Sequence, residues 1–296
     1  MAGIPFRGGS LWGGFCGGVT CSGRYMKIIC GSILFIAGIW VAFAQTNQSG
    51  ALPVTTQNAN EAQVPPEVEK AMQMPESPER TKAVRIAARE WAKKDPVAVL
   101  SWAVKLPNPI KDQVGQAIPS ICAQTNGKAS ADWSVQKGSN NWLLHPLLFY
   151  WAAIDPAGAI VWCGQAPEEV RYLAYFSVGD GYGMKDPPGA EGWAVKLESP
   201  DDRLSAIRGV ALRRAREKDI PTLGTWLKSL KPEEMMVGAK SVVWDWQANN
   251  FNNGGVKNNE AIKEWLDQFP LNDSQREDIL KTPLPGIFQS KKIEGK

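Results

Sequence analysis

Apolar and polar positions along this chain recur at helical spacing. In Glu79 to Lys94, the residues Ala83, Val84, Ala87, Ala88 and Trp91 return every three to four positions, while Arg80, Lys82, Arg85 and Arg89 fall elsewhere. That is the period of an amphipathic helix with one face turned inward. Asp201 to Lys218 repeats the arrangement, with Leu204, Ile207, Val210, Ala211 and Ala215 set against an arginine-rich face. No stretch alternates with a period of two for long enough to predict a half-buried strand. The fold class expected is all-α.

The helices are expected to come in pairs. Six times an Asp or Asn is followed seven residues later by a Trp, usually with a small residue three positions in. The anchors are Asp95 with Trp102, Asn126 with Trp133, Asp155 with Trp162, Asp186 with Trp193, Asp219 with Trp226 and Asn258 with Trp265. Successive anchors lie 31, 29, 31, 33 and 39 residues apart, a period typical of stacked helical hairpins. The Asp or Asn side chain can accept from first-turn N–H groups. Pro96, Pro156 and Pro187 then suit a first helical position, where no donor is needed. A second kind of start occurs at Ser77-Pro78, Asn108-Pro109, Ala166-Pro167, Ser199-Pro200 and Lys231-Pro232. The acidic pairs Glu168-Glu169, Asp201-Asp202 and Glu233-Glu234 follow three of these, where they offset the positive end of a helix dipole. Each unit therefore reads as a longer first helix, a tight turn and a shorter second helix carrying the Trp. The whole predicts an α-solenoid of about six antiparallel helix hairpins.

Within the second helices a small residue precedes the Trp by four positions, so both fall near one face. A neighbouring helix can approach the small residue, and the indole fills the space beside it. This Ala-x-x-x-aromatic spacing, with Pro closing the unit, resembles the second helix of tetratricopeptide-type repeats. The first-helix signature of that family, Trp-x-x-Leu-Gly-x-x-Tyr, is absent, and the spacings scatter about its ~34-residue period. The resemblance covers residues 77–282 as architecture, and it implies partner binding rather than a particular chemistry.

Residues 1–44 read as a signal peptide. Arg24 and Lys27 precede the apolar run Ile28 to Phe43, and Ala42-Phe43-Ala44 is a small-x-small cleavage site. Met26-Lys27 opens such a peptide by itself, so residues 1–25 are expected to lie upstream of a later start. The run is short of the ~20 residues of a bilayer span, leaving a retained signal anchor as the alternative. Residues 45–76 are polar and read as a disordered linker, with a short helix around Glu67 to Met74 as the alternative for its last part. Residues 77–282 form the repeat domain, whose last helix, Asn272 to Thr282, caps the stack; 283–296 form a disordered tail. Pro119 and Pro146, Gly179-Asp-Gly-Tyr-Gly183 and Asn249 to Lys257 are expected as kinks or wide turns.

Charge changes the picture only after the leader is set aside. The leader holds three of the 33 basic residues and none of the 30 acidic ones, so 30 of each remain. A balanced chain lacks the clustered cations on which nucleic-acid binding rests, and no nucleic-acid partner is expected. Three of the five Cys fall in the leader too. Cys122 and Cys163 would meet an oxidising compartment after export, as one disulfide or as two buried thiols.

Candidate chemistry is sparse. His145 is the single His, in the apolar stretch Trp142 to Tyr150, and reads as structural. No metal or cofactor is expected, because Cys122 and Cys163 lack metal-ligand spacing. The acidic pairs are adjacent in sequence and point about 100° apart on a helix, which does not set two carboxylates across a cleft. Eleven Trp follow the leader, and the off-ladder Trp142, Trp244 and Trp246 are the candidate binding residues. The leading expectation is an exported, periplasmic or extracellular scaffold that binds a protein or peptide along its concave face. Arg85, Arg89, Arg208 or Arg214 in that groove would suit an acidic partner. Recognition of cell-wall or other polysaccharide through exposed Trp is the alternative, and a glycan hydrolase or lyase comes third. If the leader is cleaved, no stable membrane anchor is expected.

Overall fold

The computed structural model describes residues 63–136, 142–217, 219–252 and 259–281 (at 249–252 and 259, the backbone only). All lie in one unit of the chain, Gln57–Lys296. The expected signal peptide, the later start at Met26, the first part of the linker, the Asn258 anchor and the 283–296 tail fall outside the described residues. Fourteen helices and no strand occur among the described residues. The protein is an all-α helical-repeat array.

First helices are α2 (Pro78–Ala92), α4 (Ile110–Ala117) with the opening of α5 (Pro119–Gln136), α6 (Leu144–Ile154), α8 (Glu168–Lys185), α10 (Pro200–Arg216) and α12 (Pro232–Asn252). Second helices are α3 (Pro96–Ala103), the rest of α5, α7 (Pro156–Gln165), α9 (Pro187–Ala194), α11 (Ile220–Lys228) and α13 (Asn259–Leu266). The ends carry α1 (Pro66–Met72) and α14 (Asp273–Lys281). Packing is closest between consecutive first helices, α5 on α6, α6 on α8, α8 on α10 and α10 on α12, with α14 continuing from α12.

Four anchors cap the second helices as the sequence predicts. Asp95 accepts from Ala98 N–H at 2.9 Å, Asn126 from Ala129 at 3.0 Å, Asp155 from Gly158 at 3.0 Å and Asp186 from Gly189 at 3.1 Å. In each case the donor is the small residue three positions on, which leaves room for the side chain to fold back. Asn126 does this inside a continuous stretch, with a non-helical φ of −159° that divides α5 into two hairpin arms. Asp219 departs from the rule. It makes no cap bond, and its carboxylate pairs instead with Arg214 at 3.0 Å. A guanidinium offers a charged partner stronger than one amide.

Four further expectations are corrected. The linker does not extend to residue 76, because Pro66–Met72 is helical and buries Val68 and Ala71 against α2. Pro119 and Pro146 do not kink helices: Pro119 opens α5, and Pro146 lies in the first turn of α6, where its missing N–H has no intrahelical acceptor to lose. Asn249 to Asn252 continue α12 rather than starting a loop. Gly179-Asp-Gly-Tyr-Gly183 is not a turn but the last two turns of α8. The glycines serve close approach: a Cβ on Gly179 would come within 2.5 Å of the Ala206 carbonyl oxygen, and one on Gly181 would strike the Phe149 carbonyl. Across the interface, a Cβ on Gly209 of α10 would strike the Phe176 carbonyl.

The interior forms three hydrophobic clusters in chain order. One lies under α1 to α5 with Trp91, Val99, Leu100 and Trp133; one in the middle with Leu148, Trp151, Trp162 and Phe176; one under α10 to α14 with Leu223, Leu227 and Trp265. Burying each such aliphatic side chain contributes roughly 1.5–3 kcal/mol relative to leaving it in water. On the Trp ladder, Trp133, Trp162 and Trp265 are buried, and Trp102, Trp193 and Trp226 are partly buried at cluster edges. The repeat also shows in polar contacts one unit apart, such as Trp162 Nε1 donating to Asp132 Oδ1 at 2.7 Å.

Candidate functional site

Two polar arrangements stand out from this framework. The first is a belt across four consecutive first helices. Ser177 on α8 donates its hydroxyl proton to the Leu173 carbonyl at 2.6 Å. Its oxygen then accepts from His145 Nδ1 of α6 at 2.9 Å, which assigns the ring proton to that nitrogen. One turn on, Asp180 is 1% exposed and takes Arg213 of α10 on one oxygen, at 2.7 and 2.8 Å from two guanidinium nitrogens. Arg216 stands 3.8 Å from the other oxygen and reaches Asp245 of α12 at 2.9 Å. The Arg213 guanidinium also sits 4.8 Å from the centroid of the Phe149 ring.

Burial holds the His145 ring below its ordinary value, with Arg216 and Arg213 adding to the effect and Asp180 opposing it. Burial likewise pushes the Glu217 carboxyl up, against Arg213 and Arg214 and with Asp180 and Asp219. Two carboxylates and two guanidiniums balance within the belt. Ser177 is fully buried and its hydroxyl is committed, so it is not placed to attack a substrate. The belt ties α6, α8, α10 and α12 in one register.

The second arrangement is an open groove of about 490 Å³ between α9, the first turn of α10, α11 and the start of α12. Pro188, Val195, Trp226 and Leu230 give it an apolar lining. Glu191 and Glu234 lie beside them, each neutralised by an arginine: Arg214 stands 3.1 Å from Glu191, and Arg203 donates to Glu234 at 2.7 Å. Glu234 also closes back on the Lys231 N–H at 3.3 Å, in the manner of a capping box. Burial pushes the Glu191 carboxyl up, against the pull of Arg214, and Asp219 pushes it further. A Cβ placed on Gly192 would meet nothing within 4 Å.

The residues singled out from sequence distribute differently. Trp142, Trp244 and Trp246 are partly buried on three different clusters rather than gathered on one surface. Trp142 covers Gly115, with Lys111 Nζ 5.6 Å from its ring centroid, and Trp246 leans on Trp265 at 5.4 Å between centroids. None of the eleven Trp among the described residues is exposed. The disulfide does not form. Cys122 and Cys163 are free and buried in separate clusters, where apolar surroundings push the Cys122 thiol up to about 12 and raise Cys163 as well.

Arg214 does not line a groove for an acidic partner; it is buried between Glu191 and Asp219. Arg208 bonds the Tyr172 hydroxyl at 2.8 Å, and Arg85 and Arg89 are exposed on α2. Asp180, Arg213, Arg216 and Asp245 were not singled out by sequence reasoning. The one available signal was Asp180 between Gly179 and Gly181, three residues after Ser177. Of the groove, sequence marked Trp226 as a ladder residue and Lys231 and Glu234 at a helix start. No group of three or more potential metal ligands is present among the described residues. No protein-family model matches the chain, no curated protein is significantly similar to it, and no solved structure matches it.

Proposed function

We propose that the protein is an extracytoplasmic scaffold that binds a protein or peptide partner, exported by residues 1–44 and built as a divergent tetratricopeptide-like array. The observation that carries this is the open groove between α9 and α11, lined by apolar side chains and by carboxylates already paired with arginines. The array leaves an open surface between α9 and α11, and repeat proteins use such surfaces to hold partners. At the groove Arg214 and Arg203 hold the two carboxylates in place, which lowers the ordering cost of binding. Polysaccharide recognition loses its main support, because the Trp side chains it required are partly or fully buried.

The test has two arms. Fractionation of cells expressing the full chain, with N-terminal sequencing of the product, should recover an exported form beginning at Gln45. Recovery of uncleaved protein in the cytoplasm would overturn the export part. In-cell cross-linking from a photoreactive residue at Val195 should then yield one stoichiometric protein adduct. Adducts to glycan alone would replace the scaffold by the polysaccharide alternative.

A further inference from the structure

The groove has a definite chemistry of its own. Its apolar lining comes from Val195 on α9 and from Trp226 and Leu230 at the end of α11. Val195 is 39% exposed, so part of this surface faces solvent. Beside it, Gly192 leaves open the space that a side chain would fill. Both carboxylates of the lining are ion-paired with mostly buried arginines, Glu191 with Arg214 and Glu234 with Arg203. The cation left over is Lys231, whose ammonium makes no ion pair among the described residues and whose side chain is exposed. The groove therefore presents one uncompensated positive charge at the edge of an apolar surface.

Scale and spacing narrow the ligand. A volume of about 490 Å³ lies within the ~300–1,000 Å³ range of small-ligand sites, room for one or two side chains. Leu230 and Lys231 are neighbours in sequence, with Cα atoms ~3.8 Å apart. Both line the same groove, so the complementary ligand carries an apolar group beside an anion. A C-terminal residue does so, because the side chain and the α-carboxylate leave the same Cα. An internal acidic residue places its carboxylate and a neighbouring apolar side chain on different residues.

Resting on the partner-binding function above, we infer that the α9–α11 groove captures the free C-terminus of a partner polypeptide ending in a large apolar residue. The side chain lies between Val195, Trp226 and Leu230, and the terminal carboxylate is met by Lys231. Binding is non-covalent, and Lys231 acts as a point charge rather than as a bidentate fork.

The experiment uses the full chain labelled with 5-fluorotryptophan, the Trp226 resonance being assigned with Trp226→Phe. The probes are N-acetyl-Leu-Phe with a free carboxylate, its C-terminal amide, and N-acetyl-Phe-Asp-amide. The free acid should shift the Trp226 resonance saturably, and the amide and the internal Asp probe should bind about tenfold or more weakly. Gly192→Leu, which fills space that is open in the fold, should abolish the shift without lowering the melting temperature. Lys231→Gln should bring the acid down to the affinity of the amide and leave the amide unchanged.

Equal affinity of acid and amide, an internal Asp probe as good as the acid, or no saturable shift up to ~10 mM would overturn the inference. So would a shift that persists in Gly192→Leu. The scaffold function fails separately. A partner that still cross-links in the Gly192→Leu chain leaves the scaffold standing without this groove. Probe binding in a chain that yields no protein adduct has the converse meaning.

Discussion

Glycines at particular positions of the two layers of this array do opposite things. In the first helices, Gly179, Gly181 and Gly209 lie where α6, α8 and α10 meet backbone to backbone, and a methyl group at any of them would strike a carbonyl of the neighbouring helix. In the second helices, Gly164 and Gly192 have nothing within 4 Å of where a Cβ would sit. The first layer uses glycine to remove space; the second does so only in the first turn, where a Cβ on Gly127 would strike Trp151 and one on Gly158 or Gly189 the capping carboxylate, and leaves space unused at Gly164 and Gly192. Charge follows the same division. The first-helix layer buries the carboxylates of Asp180 and Asp245 against Arg213 and the partly exposed Arg216, whereas α3 and α7 carry no charged residue at all. The contrast is one of close packing against access: the first helices meet backbone to backbone, and the short second helices α9 and α11 leave the groove between them open.

The contrast breaks most sharply at Asp180. Asp180→Ala leaves Arg213 inside the belt without its carboxylate, and the expected loss is about 3–5 kcal/mol by chemical denaturation. A loss below ~1 kcal/mol would mean that the belt does not tie the first helices together. Gly209→Ala should be next, costing about 1–3 kcal/mol from overpacking, even after the ~1 kcal/mol that alanine gains over glycine in helix propensity. Equal stability of this variant and wild type would show that the layer has slack.

In the second layer the expected effects are smaller. Asp155→Ala removes one cap bond and should cost about 1 kcal/mol, read as a shift in denaturation midpoint at unchanged slope. Gly192→Ala should go the other way and raise stability by up to ~1 kcal/mol, because the methyl group meets nothing while the helix gains. Opposite signs at Gly209 and Gly192 are the cleanest expression of the difference between layers.

The smallest expected effect is on pH dependence. The folded His145 ring resists protonation, so below its ordinary value of 6.5 the unfolded chain binds a proton that the folded chain refuses. Through this group, stability should be unaffected well above 6.5 and fall as pH drops below it. Glu191 and Glu217, pushed up by burial, work in the opposite direction from their ordinary 4.5 upward, since the folded chain holds those protons longer. His145→Asn should therefore flatten or reverse the slope below about pH 6.5 while leaving the alkaline side unchanged. An identical slope in the variant would remove His145 from the account.

Much of the array was legible beforehand, for reasons that stay close to the backbone. An Asp or Asn three positions ahead of a small residue caps a helix through contacts within one turn, so Asp95, Asn126, Asp155 and Asp186 behaved as local chemistry required. Asp219 carries the same spacing and failed, because Arg214, five residues back on the preceding helix, competed for the carboxylate. Gly179 to Gly183 misled in the other direction. Glycine and Asp in sequence suggest a turn, and only the presence of Phe149, Ala206 and Val210 across two interfaces makes them helical.

The order of the helices, their starts and the period of the stack were thus written into the sequence, because caps, prolines and apolar periodicity act over a few residues. Which charges meet, which thiols stay apart and which Trp are covered were decided by the tertiary structure. Those pairs lie about one repeat apart, as Asp180 and Arg213 do, and their distance depends on how closely two helices approach. The groove belongs to the same class, since Gly192, Trp226 and Lys231 become one surface only when α9 and α11 lie side by side.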